Sequence, residues 1–375
     1  MHDAIVVGTG PAGGMAALKL AEAGARVLVL EARKLPRDKA CGGALTPGPV
    51  RATLDWDFMP MIEAQVAASR WQLDFGPAVD KDSAYGAWMV GRRDFDLHIV
   101  ERALSRGAVE LRDDFGVAHV EEEADAVTVI ARSGERLRAR FVVGADGAAG
   151  RTAAAVGLSR RTRPGVAIDA EVEVTAEGWE AEGGRMSFNF ACAPGGYGWI
   201  FPKRDHLSCG IGSWTRRDGM PGLLDAYLDR ALPKGVILGQ IRRGHPIPLY
   251  EGPAPISTRR VCLVGDAAGL VDPILGEGIR YALASGAIAG EVIAAKLAGT
   301  TADDDGLEHS RRVHAAIGVE LDRLRRFILP IFLDRPEAFF RSFFQGGQSY
   351  SSLARALEAR FPVADPFASQ RSVQS

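Results

Sequence analysis

The sequence predicts a mixed α/β fold in which a doubly wound lobe with a parallel sheet is joined to an α+β lobe with an antiparallel sheet and to C-terminal helices. At 375 residues the chain is longer than one ordinary hydrophobic core supports, which indicates two lobes. The β-branched run Ala4–Val7, a helix over Met15–Glu22 and a buried strand over Ala25–Leu30 form a βαβ unit. Apolar and polar residues alternate in Ala167–Val174 and Leu207–Ser213, as they do in antiparallel strands with one covered face.

The chain is expected to leave the first lobe and return to it. Phe141–Ala145 and Arg260–Val264 are further buried strands of the parallel kind, and a long helix follows the second of them. Trp71–Phe75 and Ala84–Val90 are also expected strands. We therefore predict a first lobe from residues 1–75, 91–164 and 256–299, an antiparallel-sheet lobe from residues 76–90 and 165–255, and a C-terminal helical cap from residues 300–375.

Composition and charge exclude several classes of protein. The formal net charge is −2 with no Lys/Arg-rich block, which argues against a nucleic-acid partner. Cys41, Cys192, Cys209 and Cys262 form no CxxC pair and have no histidine at zinc-ligand spacing, so neither a disulfide framework nor a metal site is predicted. The N-terminus lacks the regions of a signal peptide, and no stretch reaches the roughly 20 apolar residues of a membrane span. A cytoplasmic protein that touches a membrane at most peripherally is expected.

The turn after the first strand has a phosphate-binding pattern. It reads Gly8-Thr9-Gly10-Pro11-Ala12-Gly13, a GxGxxG motif between a strand and a helix. The first glycine permits a tight turn, the second lets the backbone approach a pyrophosphate, and the third lets helix and strand pack closely. The helix N-terminus adds free N–H groups and a positive dipole end. Glu31, followed by Ala32 and Arg33, ends the second strand, where its carboxylate can accept hydrogen bonds from a ribose. This motif predicts a dinucleotide site but does not decide between NAD and FAD.

Two later segments favour FAD. Val261–Gly278 delivers a Gly-Asp pair to the turn after a buried strand, and a proline and a Gly-Glu-Gly turn then precede a helix. Together with the N-terminal motif and Val143-Gly144-Ala145-Asp146-Gly147, it resembles the FAD-dependent flavoprotein hydroxylase (p-hydroxybenzoate hydroxylase-like) superfamily. Gly150 and Ala153 depart from the Ser and Arg that often continue the last of these segments. The resemblance implies bound FAD, with the Asp266 carboxylate on its ribityl and ribose side. The residues that it implies at the cofactor are Arg92, Asp146, Gly265, Asp266, Pro273, Gly276, Gly278 and Ile279.

Two motifs resemble one branch of that superfamily, the geranylgeranyl reductase family. Lys39-Ala40-Cys41-Gly42-Gly43-Ala44-Leu45-Thr46-Pro47 is similar to its Cys-Gly-Gly loop, and Pro194-Gly195-Gly196-Tyr197-Gly198-Trp199-Ile200-Phe201-Pro202 to its Tyr-x-Trp-x-Phe-Pro segment. The likeness covers most of residues 1–295. It implies reduction of carbon–carbon double bonds in the prenyl chain of a lipid, pigment or quinone, by hydride from N5 of reduced FAD plus a proton. Cys41, Gly42 and Gly43 would lie close to the flavin. Cys41 is the candidate catalytic residue, and a small hydrophobe packed in a loop is its other interpretation.

Aromatic residues stand out in two further places. Tyr197, Trp199 and Phe201 alternate along a predicted strand and therefore face one side, where they form either the wall of an apolar substrate groove or part of a sheet's core. The C-terminal segment Leu324–Phe344 is rich in phenylalanine and is interrupted by two prolines. We expect its helices to cap the lobes, bury their rings and shape the substrate tunnel. A tunnel mouth that rests on a membrane surface is the alternative.

Several rival functions stay open. A flavin monooxygenase or halogenase that acts on an aromatic or apolar small molecule shares the superfamily, although the two branch motifs argue against it. An electron-transfer flavoprotein that serves a quinone is a second rival, but no cysteine set for an iron–sulfur cluster is present. A non-catalytic flavin-binding protein is a third. No separate nicotinamide site is visible, so NADPH, NADH, ferredoxin and a quinol all stay open as electron donors.

Overall fold

The computed structural model describes residues 1–158, 165–182, 184–301 and 305–345, and strands and helices account for most of them. In chain order the strands are β1 (His2–Val7), β2 (Val27–Leu30), β3 (Ala44–Leu45), β4 (Ile62–Leu73), β5 (Val79–Val90), β6 (Val109–Arg112), β7 (Val117–Glu122), β8 (Val127–Ala131), β9 (Arg136–Gly144), β10 (Gly165–Val174), β11 (Met186–Phe190), β12 (Gly196–Pro202), β13 (Leu207–Ser213), β14 (Ile237–Ile247) and β15 (Val261–Leu263). The α-helices are α1 (Pro11–Glu22), α2 (Pro47–Thr53), α3 (Arg92–Leu104), α4 (Thr152–Ala155), α5 (Ala176–Glu182), α6 (Met220–Ala231), α7 (Ile279–Leu297), α8 (Glu308–Val313), α9 (Val319–Arg323), α10 (Leu329–Asp334) and α11 (Pro336–Phe340). Short 3-10 turns cover Met59–Met61 and Gly265–Ala268, and π-helical turns cover His314–Gly318, Leu324–Ile328 and Arg341–Gln345.

The first sheet carries the parallel strands of the dinucleotide-binding lobe. Its order is β6-β2-β1-β9-β8-β7, and β15 pairs with the C-terminal end of β9. Val7 pairs with Leu30 and with Gly144, and Gly144 pairs with Leu263, all in parallel register. Since β6 also pairs in parallel with β2, five parallel strands end at one edge of the sheet, and the loops that follow them meet there. This is the edge at which doubly wound sheets bind their ligands.

Both faces of this sheet are covered, which explains its continuous apolar strands. In β1, Ala4 and Val6 pack into a core with residues of α1, α3 and α7, whereas Ile5 and Val7 pack into a second core on the other face. That second core also receives Leu321 from the C-terminal helices. Successive residues of β1 point into two different apolar cores. A polar side chain at any of these positions would therefore remove apolar burial from one of the cores.

The second sheet forms a separate layer of the structure. Its order is β14-β10-β13-β12-β11-β4-β5-β3, and its pairings are antiparallel except for β11 with β4. On β12, Tyr197, Trp199 and Phe201 share the face that also receives the C-terminal phenylalanines. Ile200 points the other way, into a core that is closed by α6. The sheet therefore has one aromatic face and one aliphatic face.

The predicted fold class is confirmed, with corrections to individual elements. The helix of the first βαβ unit begins at Pro11 rather than at Met15, since proline fits the first helical position. Phe141–Ala145 is not a separate strand, because its first four residues are the end of the continuous strand β9 and Ala145 follows that strand.

The expected strands Trp71–Phe75 and Ala84–Val90 prove to be parts of a longer hairpin. The first of them contributes its initial three residues to β4, and the second belongs to β5. Asp74 and Phe75, which were expected in the first strand, have positive φ and lie in the turn that joins the two. The hairpin hydrogen-bonds into the second sheet, whereas the expected boundary at residue 75 put β4 in the first lobe. The domain boundaries themselves stay predictions.

The C-terminal helices cover the described part of the predicted cap. In residues 305–345 they pack against both the first sheet's outer core and the aromatic face of the second sheet. Residues 302–304 and 346–375 of the predicted cap lie outside the described residues, as do residues 159–164 of the first lobe and residue 183 of the second. Across the described chain, no helix combines the length and the apolar character that a membrane crossing requires.

Candidate functional site

The GxGxxG turn has the close contacts that its glycines predict. Gly8 has φ +106°, and a Cβ built on it would lie 2.3 Å from the Ala145 carbonyl oxygen. A Cβ on Gly13 would lie 2.0 Å from the carbonyl oxygen of Gly8. A Cβ on Gly10 would meet no obstacle, because the atoms nearest to it are guanidinium nitrogens of Arg37 and Arg92, each 4.0 Å away. The turn therefore leaves an open space between two cations at the N-terminus of α1, which suits a pyrophosphate.

Glu31 directly follows β2, and its carboxylate is surrounded by hydrogen-bond donors. Its carboxylate accepts from the backbone N–H of Thr9 at 3.1 Å, from the Thr9 hydroxyl and from the backbone N–H of Arg33 at 3.1 Å. The Nε of Arg37 lies 3.0 Å away. Burial alone would raise the pKa of Glu31, but Arg37 and Thr9 outweigh it and hold the pKa below its usual value. Ala32 and the side chain of Arg33 are exposed and lie outside the cavity described below.

Two arginines that border the phosphate space are fixed by one carboxylate. Arg92 donates to both oxygens of Asp96, at 2.7 and 2.8 Å, and Arg37 donates to Asp96 at 3.1 Å. Burial would lower the pKa of Arg92, but the charge of Asp96 and the neighbouring Cys41 raise it. Arg92 was predicted, whereas Arg37 and Asp96 were missed. The i,i+4 spacing of Arg92 and Asp96 on a helix is a signal that could have revealed the second of them.

Asp266 follows β15 at the same edge of the sheet. Its carboxylate lies 3.2 Å from Nζ of Lys39 and 3.7 Å from Nε2 of His245. Burial would raise the pKa of Asp266, but the charges of Lys39 and His245 outweigh it and hold the pKa well below the usual range. Gly265 supports this turn from outside the cavity, with φ +54° and its N–H on the Ser285 hydroxyl. The carboxylate thus stays ionised and able to accept hydrogen bonds from ligand hydroxyls.

The Asp272 carboxylate stabilises the turn before α7. The Asp272 carboxylate accepts from the backbone N–H groups of Ile274 and Leu275 at 2.7 and 2.9 Å. Burial raises the pKa of Asp272 to about 6, although these two hydrogen bonds oppose the shift. Gly276, Gly278 and Ile279 follow in the cavity wall, and the buried Pro273 lies behind them. The hydroxyl of Tyr197 donates to the Leu275 carbonyl, which ties this turn to the aromatic strand.

One oxygen of the Asp146 carboxylate has partners within the protein, and its expected contact with the cofactor stays a prediction. Its carboxylate accepts from the backbone N–H groups of Arg151 and Thr152 at 2.7 and 2.9 Å, and so caps the start of α4. A Cβ on Gly150 would lie 2.2 Å from the Asp146 carboxyl carbon. This contact explains why a glycine replaces serine at the departure noted in the sequence. The neighbours Ala145 and Gly147 line the cavity instead.

The Cys-Gly-Gly loop lies between the two sheets. A Cβ on Gly42 would lie 2.9 Å from Cε2 of Phe201 and 3.2 Å from Nε1 of Trp199. Gly43 has φ +70°, and a Cβ there would lie 2.2 Å from the Val90 carbonyl oxygen. Side chains at either position would collide with the aromatic wall or with the backbone. The two glycines therefore let the loop, with Cys41, lie directly against the wall.

A cavity of about 340 Å³ unites these parts, because its lining includes both the phosphate turn and the aromatic strand. The aromatic residues of β12 are buried in the core of the sheet and also line the cavity, and their role in substrate binding stays a prediction. The predicted residues that line it are Gly10, Pro11, Ala12, Cys41, Gly42, Gly43, Arg92, Asp266, Gly276, Gly278, Ile279, Tyr197, Trp199 and Phe201. The predicted residues outside its lining are Gly8, Gly13, Glu31, Ala32, Arg33, Asp146, Gly265 and Pro273. Lining residues that sequence reasoning missed include Lys39, Trp71, Asp169, Phe188, Trp214 and His245.

The C-terminal phenylalanines support one wall of this cavity. Trp71, a lining residue, is stacked between Phe188 and Phe344, with both ring centroids 4.3 Å from its own. Phe190 meets Phe339 edge to face at 5.5 Å. These rings are buried, as expected for a cap. Contact of the cap with a membrane stays a prediction.

The fold and the site define a class of protein. A parallel sheet whose phosphate turn opens into a cavity under a second, antiparallel sheet is the architecture of flavoproteins of the p-hydroxybenzoate hydroxylase type. In agreement with this, residues 1–207 match the FAD binding domain family. The chain is thus an FAD-dependent oxidoreductase.

Comparison with known proteins narrows the class. The chain is 30% identical to digeranylgeranylglycerophospholipid reductase of Methanothrix thermoacetophila, across 90% of this chain and 88% of that protein. It is 33% identical to geranylgeranyl diphosphate reductase of Rhodobacter capsulatus, across 79% of this chain and 76% of that protein. The protein belongs to the geranylgeranyl reductase family.

Solved structures agree on the fold. The crystal structure of a geranylgeranyl bacteriochlorophyll reductase-like protein from Thermoplasma acidophilum superimposes with a TM-score of 0.75 at 22% identity, over 96% of each chain. A p-nitrophenol 4-monooxygenase from Pseudomonas putida gives a TM-score of 0.73 at 19% identity, over 96% of this chain and 97% of that one. Reductases and monooxygenases share this fold, so the reaction has to be argued from the site.

Proposed function

We propose that this protein reduces carbon–carbon double bonds in the prenyl chain of a geranylgeranyl-type lipid or pigment, with FAD as its redox cofactor. The observation that carries the proposal is one cavity lined by both the phosphate turn and the aromatic strand. A prenyl chain offers methylene, methyl and alkene groups, and its burial contributes roughly 0.8 kcal/mol per CH₂. Membership of the family, and relatives named for the reduction of geranylgeranyl compounds, support this substrate class.

The residues of the cavity edge fit FAD. Gly10 and the N-terminus of α1 would hold the pyrophosphate between Arg37 and Arg92, where a Cβ position is free. Glu31 would accept a ribose hydroxyl, since its buried carboxylate already gathers N–H and O–H donors. Asp266 would do the same on the ribityl side.

FAD bound and reduced at this edge would supply a hydride from N5 to the alkene. The protein must supply the remaining requirements, which are a dry cavity, a fixed alkene and a proton. The aromatic side chains of β12 exclude water and confine the chain, and the Tyr197–Leu275 hydrogen bond fixes this wall relative to the turn at Gly276–Gly278. An isolated trisubstituted alkene is a poor hydride acceptor, so a positioned acid is needed.

The proposal is tested with purified, FAD-loaded protein that is reduced by dithionite without air and then mixed with a geranylgeranyl lipid. We expect flavin reoxidation only with the prenyl compound and a product heavier by two hydrogens. Reduced flavin that ignores prenyl lipids but reoxidises rapidly in air with an aromatic compound would instead establish a monooxygenase. Replacement of dithionite by NADPH, NADH or reduced ferredoxin then identifies the electron donor.

A further inference from the structure

A buried acid faces the cavity from the second sheet. Asp169 is on β10 and is 5% exposed. Ala167 and Asp169 share the strand face that lines the cavity, whereas Ala170 and Val172 pack into the core on the other face. A carboxyl group therefore lies on an otherwise aromatic and small-residue wall. Such a position is costly for an ionised carboxylate and needs a reason.

The contacts of Asp169 join the two motifs of the site. One carboxyl oxygen accepts from the Ser208 hydroxyl at 2.9 Å, and the other accepts from the backbone N–H of Cys41 at 3.4 Å. Ser208 also receives the indole N–H of Trp199 at 3.5 Å. In the sheet register, Asp169 and Trp199 both lie opposite Gly210, from the two neighbouring strands. Asp169 is thus fixed between the Cys-Gly-Gly loop and the aromatic wall.

The surroundings of Asp169 shift its pKa in opposite directions, and burial has the largest effect. Burial raises the pKa of Asp169, while Ser208, Lys203 and the Cys41 backbone oppose the shift and Glu171 adds to it. Lys203 is itself buried, donates to the Val90 carbonyl at 2.7 Å and lies 4.0 Å from a Glu63 carboxylate oxygen. The side chain of Glu63 is 19% exposed. Other ionisable groups that interact with Asp169 are Arg243 and Cys209.

We propose that Asp169 is the acid that protonates the substrate double bond. This inference rests on the proposed reductase function. In the step, the carboxyl O–H bond breaks and a C–H bond forms at one alkene carbon. The hydride from the reduced cofactor forms the C–H bond at the other carbon, so the alkene gains two electrons and two hydrogens. The Asp169 carboxylate is then stabilised by Ser208 and the Cys41 N–H until it is reprotonated.

Replacement of Asp169 by asparagine tests the proposal, with the Asp169→Glu and Cys41→Ser variants beside it. Glu173→Gln is the matched control, because Glu173 is an exposed acid on the same strand, outside the cavity lining. With the FAD-loaded, dithionite-reduced proteins, we expect the reoxidation rate with geranylgeranyl lipid to fall at least about 100-fold in Asp169→Asn. Partial recovery is expected in Asp169→Glu, and less than a twofold change in the control. The wild-type rate should decline with rising pH, and this decline should disappear in Asp169→Asn.

An independent measurement needs neither cofactor nor substrate. Infrared difference spectra of the apoprotein across a pH titration should show the C=O band of a protonated, buried carboxyl group that Asp169→Asn lacks and Glu173→Gln retains. Unchanged FAD affinity in Asp169→Asn would show that the variant is folded. A wild-type protein that ignores prenyl lipids contradicts the proposed function and this inference with it. An active wild type with an equally active Asp169→Asn contradicts this inference alone, and if Cys41→Ser is then inactive, the acid is Cys41.

Discussion

Replacement of Gly210 by alanine is expected to push Trp199 into the cavity. Gly210 lies opposite Trp199 in the β12–β13 register, and a Cβ built on it would stand 2.0 Å from the ring atom Cζ2 and 2.4 Å from Cη2. Since ordinary contact begins at 3.4 Å, the ring must move by about 1.4 Å. Gly42 lies against another part of the same ring and limits movement in that direction. The open direction is therefore the substrate space.

The expected loss of substrate affinity follows from the volume that the shifted Trp199 ring takes from the cavity. A shift of this size excludes one to two methylene groups of a bound chain, each worth roughly 0.8 kcal/mol. Binding of a prenyl substrate should then weaken about 4- to 15-fold at 25 °C. The overpacked wall should also lower the free energy of unfolding by about 1–3 kcal/mol. FAD affinity should change less than twofold, because the phosphate turn lies in the other sheet.

The assay is the substrate dependence of anaerobic flavin reoxidation, together with FAD titration and urea unfolding. Gly244→Ala is the matched control, because Gly244 lies in the same sheet and its Cβ position has no neighbour closer than 3.9 Å. A Gly210→Ala variant with the wild-type KM for geranylgeranyl lipid would refute the reasoning. So would a loss of FAD affinity as large as the loss of substrate affinity.

Three further predictions concern the cofactor edge and its acids. Gly13→Ala should abolish FAD retention during gel filtration, because the new Cβ would lie 2.0 Å from a backbone oxygen. The control Gly48→Ala should retain FAD, because Gly48 is exposed and its Cβ position has no neighbour within 4 Å. Retention of FAD by both variants would contradict this prediction. Asp266→Asn should weaken FAD binding about 10- to 150-fold in fluorescence titrations, because a carboxylate that accepts ligand hydrogen bonds is removed; a change under threefold would exclude that role. Asp272 has a folded-state pKa of about 6, above its unfolded value, so its contribution to stability is present at low pH and is lost as the pH rises through about 6. Asp272→Asn should remove about 2 kcal/mol of this pH dependence from urea unfolding measured at pH 4 and pH 8, and equal pH dependence in both proteins would count against the shift.

The dinucleotide site could be predicted from sequence because its signals are local. The glycines at residues 8–13 have a fixed spacing within one strand–turn–helix unit, and the Gly-Asp pair at residues 265–266 follows a strand that is recognisable by its apolar residues. Glu31 was predicted for the same reason, since it directly follows the next strand, and its contact with the cofactor stays a prediction. Asp146 shows what such a motif leaves out. One of its carboxylate oxygens accepts a hydrogen bond from the backbone of a helix N-terminus five residues away, and its contact with the cofactor stays a prediction.

The charged network of the site could not be predicted, because its partners are distant along the chain. Lys39 meets Asp266 across 227 residues, and the Cys41 backbone meets Asp169 across 128. No periodicity links such positions. Asp169 did carry a signal, an acid at an inward position of an alternating strand, but the strand's direction relative to the cavity was not known from sequence. The pairing of the β4–β5 hairpin with the second sheet could not be predicted either, since tertiary packing decides which strands pair.

The sequence by itself determined the α/β class, the phosphate turn, the family and the aromatic strand of this protein, because each depends on residues that are neighbours in the chain or on motifs of fixed spacing. Only the tertiary structure decided that the phosphate turn and the aromatic strand share one cavity, that the C-terminal rings support its wall, and that a buried acid faces it. These features depend on how two sheets pack. That packing is a sum of many small apolar contacts between remote segments, and no single motif records it.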